Sequence, residues 1–162
     1  SFEFSRQLRA VFHVRAVVQR VRSASVVVEG DVAGRIGRGL VVLLGVRKGD
    51  GSGEIQYIAD KVLGLRIFPD ERHSMNVALD EVGGEILLVS QFTLYGDCRR
   101  GRRPSFDSAE DPERAEGVYR EFAAYLADRG RTPQEGVFGA AMLLQLENDG
   151  PVTVMLDSEK AF

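Results

Sequence analysis

The chain has 162 residues, 44% of them hydrophobic, with 21 Lys+Arg against 24 Asp+Glu for a formal net charge of −3 and a single cysteine. That length suits one domain able to bury about two-thirds of the surface its unfolded form exposes, and leaves little room for a second, cofactor-carrying domain. The lone Cys98 excludes an intramolecular disulfide framework and a multi-cysteine zinc site, and the net acidity excludes nucleic-acid binding through bulk charge. No apolar run approaches the roughly 18 to 20 residues that cross a bilayer; the longest, Leu40 to Leu44, reads as a buried strand. Ser1 to His13 has neither the apolar stretch nor the cleavage site of a secretory signal. The expectation is a cytoplasmic protein without a membrane partner.

Residues 1–13 show no clean period of 2 or 3.6, whereas from Arg15 onward the chain settles into strand patterning, so 1–13 reads as an extension and 14–162 as one domain. Arg15 to Val21 and Ala24 to Glu29 are β-branched runs, the second facing Val32 to Ile36 across a Gly30-Asp31 hairpin signal. Leu40 to Val46 is nearly all apolar, as in a strand covered on both faces. Ile55, Ile58, Ala59, Val62 and Leu63 repeat at helical spacing, with Ser52 and Gly64 as caps. Ile67-Phe68, a polar loop and Val77 to Val82 lead into Gly83-Gly84, and Glu85 to Ser90 reads as a further apolar strand. After a long polar loop, Gly96 to Asp111, the spacing of Ala115, Val118, Tyr119, Phe122 and Leu126 predicts a helix capped by Asp111, opened by Pro112 and ended at Gly130. Val137 to Glu147 and Val152 to Leu156 read as strands flanking Asn148-Asp149-Gly150-Pro151. The order predicts a mixed α/β (α+β) domain whose two helices cover a mixed sheet.

No phosphate-loop, dinucleotide-binding, zinc-protease or C-x-x-C pattern is present, so neither metal nor cofactor is expected. Only His13 and His73 are available as imidazoles, which argues against a histidine-based triad. Three constellations remain. Ser90-Gln91-Phe92-Thr93-Leu94-Tyr95 sits where a buried strand meets a loop. Either Phe92 and Leu94 fill the core, or the strand end offers backbone N–H groups as an oxyanion hole with Ser90 or Thr93 near a reacting ester. Arg99, Arg100, Arg102 and Arg103 crowd five positions, either as solvated loop charge or as a local phosphate clamp. Asn148-Asp149-Gly150-Pro151-Val152-Thr153 is either a hairpin turn or, because X-Pro tolerates cis and Gly admits close approach, a rigid sensor loop.

The first and third constellations together resemble the two signature motifs of the D-aminoacyl-tRNA deacylase family. Arg15 to Val21, Ala59 to Phe68, Gly101 to Phe106 and Val137 to Met142 are similar to that family too, so the likeness spans residues 14–162. Ala141, Leu143 and Cys98 depart from its common pattern. The resemblance implies mixed sheets forming a barrel-like core with two covering helices. It also implies a homodimer with the active site at the subunit interface, acting on the aminoacylated 3′ end of tRNA. The activity implied is hydrolysis of the ester of D-aminoacyl-tRNA and of glycyl-tRNA mischarged on tRNA(Ala), a chirality proofreading step. Ser90, Gln91, Phe92 and Thr93 would line the catalytic pocket; Gly150-Pro151, expected to be cis, would enter the neighbour's pocket to exclude L-aminoacyl groups, with Asn148 beside it. Met142 would line the adenine pocket, a role that competes with simple core packing. The oxyanion would be held by main-chain donors around Phe92, with the terminal ribose 2′-hydroxyl assisting. A non-catalytic tRNA-binding module using Arg99 to Arg103, and a dimerising scaffold, are the alternatives.

Overall fold

The computed structural model describes residues 13–49 and 53–162; the expected extension through residue 12 and the Ser52 cap lie outside them. The first strand, β1, runs unbroken from His13 to Val28, where the sequence suggested two separate strands. Its alternation, with Val14, Ala16 and Val18 buried, breaks at Arg20 and Val21, which are both buried, and resumes at Ala24 and Val26. A strand can be long and still change partners at such a break. One edge of β1 pairs antiparallel with β3 (Gly39–Arg47) over His13 to Val21 and then with β2 (Asp31–Ile36) over Ala24 to Val28. The β1–β2 turn falls on Glu29-Gly30, one residue earlier than the Gly30-Asp31 pattern suggested, because Asp31 already pairs with Val28; both turn residues have positive φ, as the right-handed twist of a tight hairpin demands.

β3 pairs in parallel with β4 (Glu85–Ser90), and β4 in parallel with the two-residue β5 (Gln134–Glu135). The sheet curls until β2 packs against β4 and β5, giving a nearly closed, barrel-like form. β3 is buried on both faces, as its composition implied: Leu40, Val42, Leu44 and Val46 face the helices, while Val41 joins Val21, Val26, Leu87 and Val89 on the enclosed side. Helices α1 (Gly53–Gly64) and α2 (Pro112–Asp128) cover the outer face through Ile55, Ile58, Val62, Val118, Phe122 and Leu126. The Asp111 carboxylate accepts the Arg114 N–H at 3.1 Å and Pro112 opens α2, so this boundary lies where the sequence put it.

Between the helices the chain is less regular than strand patterning suggested. Phe68 and Val77 form an isolated bridge, and Leu79–Val82 is a 3₁₀ turn. The larger difference is at the C-terminus. β6 is one strand, Leu143–Asp157, pairing antiparallel with β1 both before and after the Gly-Pro corner. Asn148 faces Val21 and Thr153 faces Gln19, so five steps on β6 match two on β1. Asn148 to Pro151 therefore forms a bulge in a continuous strand, not a hairpin turn, because both flanks find the same partner. Val137 to Met142 is not strand either; the Ala140 N–H donates to the Val137 carbonyl at 3.2 Å and Gly139 has φ +77°, which closes a turn there. No helix among the described residues is long and apolar enough to cross a membrane.

Phe122 is fully buried between α2 and the sheet. Phe122→Ala should cost about 3 to 5 kcal/mol of folding stability, against about 1 kcal/mol for loss of the α2 cap in Asp111→Ala. Urea denaturation should rank the two in that order; equal losses would contradict this packing.

Candidate functional site

β4 ends at Ser90, and the Gln91 N–H donates to the Leu44 carbonyl at 2.8 Å, which ties the following segment to β3. Phe92–Tyr95 then forms a 3₁₀ turn. It can lie this close only because residue 45 is glycine: a Cβ there would sit 2.9 Å from the Gln91 carbonyl oxygen and 3.1 Å from Leu94 Cβ. The first N–H groups of any helical turn have no acceptor within it, and among the described residues neither the Phe92 nor the Thr93 N–H donates to a protein acceptor. The Gln91 side-chain amide donates to the Thr93 hydroxyl. Phe92 is 56% exposed, its ring edge-on to Phe106 at 5.2 Å between centroids and 72° between planes.

Beside this turn lies a cavity of about 670 Å³, mostly apolar, enclosed by Val89, Ser90 to Phe92, Phe106, the start of α2 and the Phe138 to Met142 turn. Its charged lining groups are Lys48, Glu110 and Asp111. No histidine lines it; His73 is exposed in the loop that Asp70 organises by accepting the N–H groups of Arg72 and His73. Among the described residues no group of three His, Cys, Asp or Glu side chains is placed to hold a metal ion.

The structure thus gathers Ser90, Gln91, Phe92 and Met142 around one cavity, with Thr93 exposed on the same turn. It does not bring the other sequence candidates there. Asn148, Gly150 and Pro151 sit on the β6 bulge, where the Gly150–Pro151 peptide is cis and both residues are exposed. Gly150 has φ +135°, a conformation that a side chain would strain. The corner is held from several sides. Asn148 Oδ1 accepts the Val152 N–H at 2.9 Å, and its amide donates to the Thr153 hydroxyl at 3.0 Å. Arg20, 8% exposed, donates to the carbonyls of Asp149 (2.9 Å), Ile67 (2.6 Å) and Ser74 (3.3 Å).

The arginines occupy an exposed loop pinched by the Asp97–Ser105 bridge. Arg99 pairs with Asp97, whose carboxyl is thereby lowered to about 2. Arg100, Arg102 and Arg103 join no ion pair among the described residues. Sequence reasoning missed Arg20, Phe106 and Phe138 as parts of the site. Arg20 had a signal: an arginine continuing the inward series Val14, Ala16, Val18 has to be satisfied inside. Phe106 lies in the polar loop and Phe138 in a stretch whose apolar run reads as a strand, and neither pattern marks a cavity wall.

Removing a buried donor strands the carbonyls it served, at about 1 to 3 kcal/mol. Arg20→Met should lose at least that much stability and speed hydrogen exchange at the Val152 N–H; an unchanged exchange rate would mean that the corner stands without Arg20.

A sequence profile of the family described as D-Tyr-tRNA(Tyr) deacylase matches residues 17–157. A D-aminoacyl-tRNA deacylase of Syntrophomonas wolfei subsp. wolfei is 57% identical over 149 residues, covering 92% of this chain and 100% of the relative. One of Clostridium botulinum is 54% identical over the same extent. Among solved structures, the c-Myc DNA Unwinding Element Binding Protein superposes with a TM-score of 0.83 at 42% identity, covering 88% of this chain and 97% of that one. A probable eukaryotic D-amino acid tRNA deacylase superposes with a TM-score of 0.77 over 90% of this chain and 99% of that one; at 20% identity this speaks to the fold alone.

Proposed function

Because the chain belongs to the D-Tyr-tRNA(Tyr) deacylase family, we propose that it is a hydrolase cleaving the ester of D-aminoacyl-tRNA to free D-amino acid and tRNA, a proofreading step of translation in the cytoplasm. The observation that carries the mechanism is that neither the Phe92 nor the Thr93 N–H has a partner among the described residues, on a turn whose Phe92 lines an apolar cavity with no imidazole in its lining. The terminal adenosine enters that cavity against Met142 and Phe138, its base on apolar and aromatic surface. Water attacks the ester carbonyl carbon. The two N–H groups stabilise the oxyanion of the tetrahedral intermediate, which collapses with cleavage of the bond to the ribose oxygen, and the neighbouring 2′-hydroxyl relays the proton to the departing oxygen. Gln91 positions Thr93, and Thr93 positions substrate rather than attacking it, since nothing near it would take its proton.

Handedness is tested by a second copy. Among the described residues β6 pairs with β1 alone, which leaves its other edge without a partner, and the strand carries the exposed Leu143 (69%) and Met155 (57%). This supports a homodimer in which the Gly150-Pro151 corner of one protomer enters its partner's pocket and accepts the α-ammonium group through its carbonyls. An L side chain then meets backbone, a D side chain points out, and glycine has nothing to reject, so glycyl-tRNA is also cleaved. Residues 14–162 carry this activity and 1–13 are dispensable. Arg99, Arg100, Arg102 and Arg103 contact tRNA phosphates.

Incubation with D-tyrosyl-tRNA, L-tyrosyl-tRNA and glycyl-tRNA should release amino acid from the first and third only; binding without release would leave a tRNA-binding module. Thr93→Ala should retain activity within about tenfold, because the main-chain donors remain, compared with the 10²- to 10³-fold typical of losing an oxyanion donor. Near-complete loss with tRNA binding intact would make Thr93 the nucleophile. Gly150→Ala should keep the dimer seen by light scattering but lose discrimination between D- and L-substrates; a monomer in the parent protein at micromolar concentration would end the shared-site reading.

A further inference from the structure

A second cleft, of about 430 Å³, opens on the far side of the Phe92–Tyr95 turn and is polar where the first is apolar. Arg15, Arg47, Arg99, Tyr95, Asp97 and Ser108 line it. Arg15 is held in place with its guanidinium 4.7 Å above the Tyr95 ring, its Nε on Asp157 at 3.0 Å and one Nη on the Leu94 carbonyl at 3.4 Å. Arg47 spends one Nη on Glu159 at 2.7 Å. Each guanidinium carries five N–H donors, so both keep several for a ligand. Tyr95 is 5% exposed, yet its hydroxyl has no hydrogen-bond partner among the described residues. Burial, with Asp157 behind it, pushes the phenol well above its ordinary range and keeps it a donor. Tyr95, whose buried hydroxyl has no partner among the described residues, lines a cleft walled by guanidiniums, and the acceptor such a set fits is an oxyanion.

The carboxylate lining the cleft and those behind its arginines are already engaged: Asp97 by Arg99, Asp157 by Arg15, and Glu159 by Arg47. Surplus positive charge comes from Arg100, Arg102 and Arg103, which follow Arg99 on the same loop. The cleft and the apolar cavity stand back to back across one thickness of chain. Arg47 lies between Val46 and Lys48, Ser108 precedes Ala109, and Tyr95 closes the turn that Phe92 opens; Val46, Lys48, Ala109 and Phe92 all line the larger cavity. We infer that the Arg15–Arg47–Tyr95 cleft is a phosphate subsite, which takes a phosphodiester of the tRNA 3′ strand just upstream of the nucleoside in the apolar cavity. The inference rests on the deacylase reading and adds where the strand goes on leaving the pocket.

D-tyrosyl-adenosine, which has no phosphodiester, separates the two. Tyr95→Phe and Arg47→Gln, each of which keeps the bulk of its side chain, should raise KM for D-tyrosyl-tRNA about tenfold with kcat held. Both should hydrolyse D-tyrosyl-adenosine at the parent rate, and Arg47→Gln should flatten the salt dependence of tRNA binding by about one ion. Unchanged KM for tRNA, or an equal loss on both substrates, overturns the subsite; failure of the parent protein on both substrates overturns the deacylase reading instead. Inorganic phosphate should compete with D-tyrosyl-tRNA in the parent and much less in Arg47→Gln. Equal inhibition of both proteins would mark an adventitious ion only, and competition lost in the variant with tRNA KM unchanged would assign the cleft to free phosphate; either result overturns the RNA assignment.

Discussion

The Gly150-Pro151 corner leans on Arg20, a cation in the interior at the place where β1 passes from the helix-covered core to the enclosed one. Its neighbours Val18 and Val21 belong to different apolar clusters, and the strand's alternation is broken there. A charge at such a junction is tolerable only when its donors are spent and a counter-charge is near. Three carbonyls take the donors, and the Asp149 carboxylate lies 4.0 Å away. In return the guanidinium ties the β6 bulge to the two sides of the loop closed by the Phe68–Val77 bridge, at Ile67 and at Ser74. The corner around Gly150 is exposed, yet its position is set from the inside.

The other half of the site is built on a similar economy of side chains. Absence of a Cβ at Gly45 lets a 3₁₀ turn rest on β3, and the turn's opening N–H groups have no partner among the described residues because helical geometry leaves them nothing to bond within the turn. In the proposed reading the reactive equipment is main chain held by rigid strands. That fits a chain with two histidines, neither of them lining the cavity. Donors fixed on a turn that is tied to a sheet do not reorganise as charge develops, which is the condition under which dipoles lower a barrier most.

Regular elements with a strong apolar period were legible in the sequence. β3, β4, α1 and α2 fall where Leu40 to Val46, Glu85 to Ser90, the Ile55 series and the Val118 series put them, because packing against one face or two leaves a periodic trace. Long-range choices left none. Asn148 to Pro151 carries every local mark of a turn, and only the presence of β1 as a common partner makes it a bulge. Val137 to Met142 is apolar enough for a strand, but it supplies a wall of the cavity instead. The motif residues Ser90 to Phe92 and Met142 were placed by resemblance, and the structure gathers them at one cavity; the arginine loop and the corner lie elsewhere on the protomer. Arg20 was readable as an oddity in an apolar series, while its three acceptors were not.

β1 and β6 also set an order of events. Arg15 faces Asp157 across 142 positions of chain, and the same two strands stay paired through Val27 and Leu143. On a ribosome delivering roughly 5 to 20 residues each second, the opening strand emerges many seconds before its longest neighbour exists. Until then one whole flank of it can be shielded only by a chaperone or by chance. Nascent chains cut short before residue 143 therefore lack the piece that seals the first strand, and quality control in the cell meets them as open sheets.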